Sequence, residues 1–328
     1  KHGFGTVELA ELNQQQVRDA LAWLPLVDAL KDIFTRDVTA PIRHHHTMNV
    51  PQDPSATLLL MPAWIEGEYL GVKQVNVFPG NSARNQPGLS SHYLLSCGQT
   101  GQMLAQIDGN ELTARRTAAA SALASRYLSR ETASKMLMVG AGRVARRLVP
   151  AHMSVRPIET VHVWDINPAA AEQLATELRD EGVDAIACSD EQLETVAREA
   201  DLISCATLST EPLIKGEWLK PGAHLDLVGS FTPTMRETNN EALQRANVFV
   251  DVKAAALVET GELIMPIRDG AITEEKILAD FSVLCSGQHA GRAELDEPET
   301  AITLFKSVGD SREDLAGAIL AYQSVRGA

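Results

Sequence analysis

The stretch VGAGRVARRLV places Gly140, Gly142 and Ala145 in G-x-G-x-x-A spacing. An apolar run, KMLMVG, leads into it and a helical pattern follows. Such a turn can bring backbone amides at a helix start against a pyrophosphate. The first glycine makes the tight turn, the second admits the phosphate, and a small third residue lets helix and strand pack closely. The next apolar run ends in VWDINP, with Asp165 25 residues after Gly140. An acid there accepts hydrogen bonds from ribose hydroxyls and repels a 2′-phosphate. Gly140, Ala141, Gly142 and Val144, with Asp165, therefore form a candidate dinucleotide site that favours NADH and leaves NADPH open. The stretches SCATLST and DLVGSFTP contain Thr207 and Val228 and end later strands. Ligands bind beyond the carboxyl ends of parallel strands, so both are expected near a nicotinamide. The competing reading is a tight strand–helix turn followed by a surface aspartate.

A second set of residues could bind an anion. In YLGVKQVNVF, strand periodicity puts Lys73 on the face that carries Val75 and Val77. A buried ammonium is costly unless it is paired. In LTARRTAAASALASRYL, helical spacing puts Arg116 on a face with Ala119, Ala120, Leu123 and Tyr127. With Thr113 read as the N-cap, Arg116 lies in the first turn, where the helix dipole disfavours a cation. Arg115 shares its face with Arg126 and reads as solvated. Arg43, in APIRHHH, is a third candidate. Together these cations could hold one carboxylate, the arginines in bidentate geometry. The alternatives are an arginine paired with a buried acid and an edge strand from which Lys73 snorkels. His44 to His46 alternate across a strand. At most two of them share a face, too few for a zinc site, so no metal is expected.

These side chains need elements to position them. A chain of 328 residues with 45% hydrophobic and 22% charged residues is of ordinary globular composition and long enough for two domains. A net charge of −14 argues against nucleic acid or an anionic membrane as main partner. The four cysteines, Cys97, Cys188, Cys205 and Cys285, form no CxxC pair and fit a reducing, cytoplasmic setting. No apolar run is long enough to span a membrane, and KHGFGTVEL has no signal-peptide core. Up to residue 112 the patterns read as two helices and then a β-meander, with turns at EGE, GQTG and DGN. Beyond it, near-continuous apolar runs alternate with helical patterns, which predicts a doubly wound parallel sheet with six strands. The last helix, DSREDLAGAILAYQSVR, carries an apolar stripe at Leu315, Ile319, Leu320 and Tyr322. It is expected to return to the first domain.

The stretches GVKQVNVFPGN, AQIDGNELTARRTAAASALA, VGAGRVA, STEPLIKGEWLKPGAHLDLVGS and LFKSVG together resemble the ornithine cyclodeaminase/mu-crystallin family over nearly the whole chain. The resemblance implies an α/β fold in which a Rossmann-type doubly wound parallel sheet is inserted in a discontinuous α+β dimerisation and substrate domain. That places residues 116–303 in the dinucleotide domain and 1–115 plus 304–328 in the other, assembled as a homodimer. It matches Arg43, Lys73 and Arg116 to substrate-carboxylate ligands. Gly140, Gly142 and Asp165 match the cofactor loop and its ribose acid, and Ser307 and Gly309 match a late turn near the pocket. Ornithine cyclodeaminases carry an aspartate after the fifth Rossmann strand, where this chain has Phe231. They also carry a glutamate shortly before the Met-Pro pair, where it has Leu60. The resemblance is therefore closer to the family's reductases. It implies NAD(P)H-dependent reduction of a cyclic ketimine, Δ1-pyrroline-2-carboxylate to L-proline first and Δ1-piperideine-2-carboxylate to L-pipecolate second. Lys73, or a water held by it, is the candidate catalytic source of the imine proton. Ornithine cyclodeaminase, alanine dehydrogenase and a non-enzymatic crystallin-like ligand-binding protein are the alternatives.

Overall fold

The computed structural model describes residues 7–327. Most of the N-terminal stretch read for a leader lies outside them. The chain forms two compact units, one reaching Arg116 and resuming at Asp310, the other running from Thr117 to Gly309.

The first unit begins with β1 (Ala10–Leu12), α1 (Gln14–Ala20) and α2 (Trp23–Ile33), followed by β2 (His44–Met48), β3 (Ala56–Ile65), β4 (Tyr69–Val77), β5 (Leu89–Cys97) and β6 (Met103–Asp108). Its sheet has the order β1-β6-β5-β4-β3-β2, antiparallel except for the β1–β6 pair. Lys73 pairs with Met61 on one side and Tyr93 on the other, so β4 is an interior strand. That removes the edge-strand reading of Lys73. Gly71, Lys73 and Val75 alternate to the buried face as strand geometry requires. Gly71 has no room for a Cβ, which would fall 1.9 Å from the Tyr93 hydroxyl.

The linking helix α3 (Gly109–Leu128) contains the division between the units. It starts earlier than expected. The Asp108 carboxylate accepts from the Glu111 amide at 2.8 Å, the bond of an N-cap residue to N3. DGN is thus a helix start rather than a turn, and Thr113 lies inside the helix. Arg116 falls in the second turn, where the end of the helix dipole no longer acts on it.

The second unit runs β7 (Lys135–Val139), α4 (Arg143–Val155), β8 (Thr160–Trp164), α5 (Pro168–Asp180), β9 (Asp184–Ala187), α6 (Asp190–Glu199), β10 (Leu202–Cys205), β11 (His224–Leu227), α7 (Asn240–Arg245), β12 (Asn247–Val250), α8 (Lys253–Glu259), α9 (Gly261–Arg268), β13 (Ile277–Ala279), α10 (Phe281–Cys285) and β14 (Thr303–Lys306). The sheet is parallel throughout, in the order β13-β12-β14-β11-β10-β7-β8-β9. Its apolar residues, among them Leu137, Val139, Ile203, Leu225, Val248 and Leu304, are buried as in a sheet covered on both faces. Eight strands form where six were expected, because ILA and TLFK are too short to register as apolar runs. The second of these sits between β11 and β12, so residues 304–306, assigned by sequence to the first domain, belong to the sheet of the second unit, which continues to Gly309.

Helix α11 (Ser311–Arg326) closes the first unit, packing on α2, β3 and β4. Its buried residues include Glu313, Asp314, Leu315, Ala316, Gly317, Ala318 and Ala321, whereas Ile319, Leu320 and Tyr322 are half-buried. The helix seats itself by small residues. A Cβ on Gly317 would fall 2.7 Å from Leu112 Cδ1. Among the described residues, no helix is long and apolar enough to cross a membrane.

Candidate functional site

In the first unit β4, α3 and α11 bring Lys73, Arg116 and Asp314 together, all buried. Lys73 Nζ lies 3.0 Å from Asp314 Oδ1 and 2.9 Å from Oδ2, and 3.3 Å from Thr113 Oγ1. Arg116 Nε donates to Asp314 Oδ1 at 2.8 Å, and Arg116 Nη1 lies 3.9 Å from Glu313 Oε2. Burial lowers the Lys73 ammonium to about 8. Asp314 opposes that shift, while Arg116 and Arg43 reinforce it. Burial by itself would raise the Asp314 carboxyl, but Arg116 and Lys73 outweigh it and hold it below the ordinary range. Arg43 precedes β2, is half-buried, and is close enough to act on Lys73.

So the two cations singled out by periodicity do converge, on an acid overlooked in the sequence, and Arg116 is paired with a buried acid as its alternative reading had it. Asp314 follows Glu313 at the start of α11, where acids usually serve the helix dipole. A usable signal was present. The small residues Gly317, Ala318 and Ala321 follow it at helical spacing and mark its face as a packed one. Arg115, expected to be solvated, is buried instead. Its Nε donates to the Leu21 carbonyl at 3.0 Å and its guanidinium lies 4.0 Å from the centre of the Trp23 ring.

In the second unit, Gly140 has φ +112°, and a Cβ there would fall 2.7 Å from the Ala206 carbonyl oxygen. That position needs glycine. Gly142, which caps α4 without any side-chain hydrogen bond, has nothing within 4 Å of an added Cβ. Open space therefore lies directly before an uncapped helix start. A diphosphate fits that arrangement of glycine backbone and helix amides. Ala145 is fully buried in the first turn of α4, Ala141 lies in the loop between the two glycines, and Val144 follows in the helix. The Asp165 carboxylate accepts from the Ala141 amide at 2.9 Å and from the Asn167 amide at 2.8 Å, so it braces the glycine loop from the end of β8.

Thr207 and Val228 lie just past β10 and β11. Val228 donates its amide to the Cys205 carbonyl at 2.8 Å. Phe231, in the loop after β11, is 56% exposed. Ser307 is buried past β14, and Gly309 turns with φ +86° while donating to Asp251 Oδ2 at 2.8 Å. His44, His45 and His46 are exposed on β2. Among the described residues no group of three or more His, Cys, Asp or Glu is placed to hold a metal ion.

Sequence reasoning missed a buried acidic group in the second unit. Glu237 Oε2 accepts from the Thr207 amide at 2.7 Å and hydroxyl at 2.8 Å, and its Oε1 accepts from the Gly229 amide at 2.8 Å. Glu262 accepts from the Glu237 amide at 2.7 Å and the Thr238 amide at 2.9 Å. Lys306 Nζ donates to the carbonyls of Leu227 at 3.1 Å and Ser307 at 2.6 Å.

Residues 12–328 match the profile of the Ornithine cyclodeaminase/mu-crystallin family. A Delta(1)-pyrroline-2-carboxylate reductase of Paracoccus denitrificans is 36% identical over 296 residues, covering 88% of this chain and 92% of its own. The structure of Thermococcus litoralis Delta(1)-pyrroline-2-carboxylate reductase in complex with NADH and L-proline superposes with a TM-score of 0.87 at 30% identity, covering 97% of this chain and 98% of that one. An archaeal alanine dehydrogenase dimer with bound NAD superposes with a TM-score of 0.85 at 27% identity, covering 97% and 96%. An interior lysine and a helix arginine on one buried acid, and a glycine turn open at a helix start, accompany a match over almost the whole length. The chain belongs to the ornithine cyclodeaminase/mu-crystallin family.

Proposed function

We propose that this chain is an NAD(P)H-dependent oxidoreductase that reduces a cyclic ketimine, Δ1-pyrroline-2-carboxylate to L-proline first and the six-membered homologue second. The observation that carries this reading is the convergence of Lys73 and Arg116 on one buried point. Asp314 holds both cations at fixed spacing before any substrate arrives, so little reorganisation is needed to receive a second carboxylate. Arg116 offers its planar fork to that carboxylate, and Arg43 adds positive charge nearby.

A bound nicotinamide dinucleotide supplies the hydride that adds to the C=N carbon. The chain supplies the rest. Gly140 and Gly142 leave the α4 start open to a diphosphate, and Asp165 favours NADH by accepting from ribose hydroxyls. Lys73 supplies the proton at the ring nitrogen. Its ammonium, lowered to about 8, is protonated at neutral pH yet gives up a proton more easily than an exposed lysine. Phe231 stands where the family's cyclodeaminases carry an aspartate, so it supports reduction of a preformed ring rather than release of an amine. Ser307 and Gly309 match the late turn of the family, and the chain is read as a homodimer without metal.

A panel of ketimines with NADH and with NADPH tests the proposal by cofactor absorbance. Δ1-Pyrroline-2-carboxylate should give the highest kcat/KM, with NADH the better cofactor. Ammonia release from ornithine, or turnover of pyruvate with ammonia but no ketimine, would overturn it in favour of a cyclodeaminase or an alanine dehydrogenase. Tight ligand binding without turnover of any of these would point to a binding protein. Sedimentation analysis reads the oligomeric state.

A further inference from the structure

The buried acids of the second unit lie outside the chemistry just proposed, yet they are bonded to the loops that chemistry would use. Glu237 is fully buried, and its two oxygens divide their work. One takes both donors of Thr207, at the end of β10; the other takes the amide of Gly229, past β11. Gly229 packs directly on the Thr207 backbone with no room for a side chain between them, since a Cβ on it would fall 2.0 Å from the Thr207 carbonyl oxygen. Glu262, from α9, fixes the Glu237 and Thr238 amides in turn. We infer that Glu237 is a positioning residue for the nicotinamide half of the cofactor, acting as a carboxylate tie that holds the loops after β10 and β11 in register. This rests on the dinucleotide part of the proposed function and not on the identity of the imine.

The surroundings give the tie a pH dependence. Burial raises the Glu237 carboxyl to about 7, and Glu262 on α9 adds to that, while Lys306 on β14 and the Thr207 bonds oppose it. Asp251 past β12 and Asp226 on β11 act on the same Lys306, and the Cys205 thiol on β10 feels both glutamates. Around neutrality a change in pH therefore changes how many donors the carboxylate can accept. Binding and stability should then move in opposite directions. The folded-state value lies above the ordinary carboxylate value of 4.5. The folded chain thus holds the extra proton, and Glu237's contribution to stability rises as pH falls from about 7 toward 4.5. NADH binding should weaken over the upper part of that same fall, because the protonated carboxyl loses an acceptor.

The test is equilibrium binding of NADH and of ADP-ribose, which lacks the nicotinamide, together with thermal unfolding of the cofactor-free chain. In Glu237→Gln the amide can present its oxygen to one loop only and turns an NH2 group toward donors of the other. NADH should bind about tenfold more weakly at pH 8, as for loss of one charge-assisted hydrogen bond. ADP-ribose should bind as in the parent chain, and the pH dependence of NADH binding should flatten. Glu237→Asp, which keeps the charge with a shorter reach, should recover part of the affinity. Should Glu237→Gln fail to fold, Thr207→Val removes one donor from the carboxylate without altering the buried charge, and should move the midpoint of NADH binding to higher pH. Parental NADH affinity in Glu237→Gln, equal losses for NADH and ADP-ribose, or an unmoved midpoint in Thr207→Val would each overturn the inference. A parent chain that binds neither ligand would overturn the dinucleotide reading along with it.

Discussion

In the first unit, Lys73 and Arg116 meet on the single carboxylate of Asp314; in the second, the carboxylates of Glu237 and Glu262 gather near the single ammonium of Lys306. Both groups are buried, so both must offset a desolvation cost. They do so differently. The acids of the second unit are bonded mainly to backbone amides, those of Thr207, Gly229, Glu237 and Thr238. Their capacity is spent inward, on holding loops. The cations of the first unit are bonded to side chains, Asp314 for both and Glu313 beside Arg116, and under the proposed function they receive a further anion. Under the proposed function, buried charge of one sign serves as architecture and of the other sign as a receptor.

Removing the receptor should have the largest effect. Lys73→Met should lower kcat/KM for imine reduction by about a thousandfold, as expected when proton donor and carboxylate ligand are lost together. NADH binding should be retained. If Lys73 donates the proton, kcat in the parent chain should fall as pH rises through about 8. Unimpaired turnover in Lys73→Met would return the lysine to a structural role and erase the contrast between the units.

Asp314→Asn comes next and is read by thermal and denaturant unfolding. It leaves buried Lys73 without its carboxylate and Arg116 with Glu313 beside it, and a cost of about 3–5 kcal/mol is expected. The Lys73 value should drop further, shifting the alkaline limb of kcat to lower pH. A stable variant with an unshifted limb would show that Asp314 does not organise the pair.

The smallest effects separate two glycines of one loop. Gly142→Ala meets nothing within 4 Å, so unfolding should be unchanged while NADH binds about tenfold more weakly, through lost approach of the diphosphate. Gly140→Ala combines φ +112° with a 2.7 Å clash and should destabilise the chain itself. Equal NADH affinity in Gly142→Ala and the parent chain would remove the diphosphate from that opening.

What could be read in the sequence depended on whether a residue's role was local. Lys73 and Arg116 broke an apolar periodicity, and the glycine turn stood between a strand and a helix, so each was visible in a short window. Asp314 was not. Its neighbours Glu313, Arg312 and Asp310 make an ordinary polar helix start, and it is buried only because α11 packs by Gly317, Ala318 and Ala321. Glu237 was still less visible, because it lies in the irregular segment TMRETN, where no period applies, and its partners come from 30 residues upstream at Thr207 and 8 upstream at Gly229. Strands β13 and β14, of three and four residues, were too short for patterning, and β14 carried the true division between the units to Gly309. Helix starts were misjudged where the cap was a strand-end acid, as with Asp108.

The position of β14 bears on how the chain is made. It fills the gap between β11 and β12, and the helix that follows it, α11, completes the core of the first unit. Translation from the N-terminus therefore delivers both finishing pieces last. Until Thr303–Arg326 has left the ribosome, the second sheet stays split between β11 and β12 and the first unit lacks the acid that Lys73 and Arg116 share. Nascent chains should expose open sheet edges until that segment emerges, the condition under which chaperone contact matters most. Loss of this one segment should disable both halves of the molecule at once.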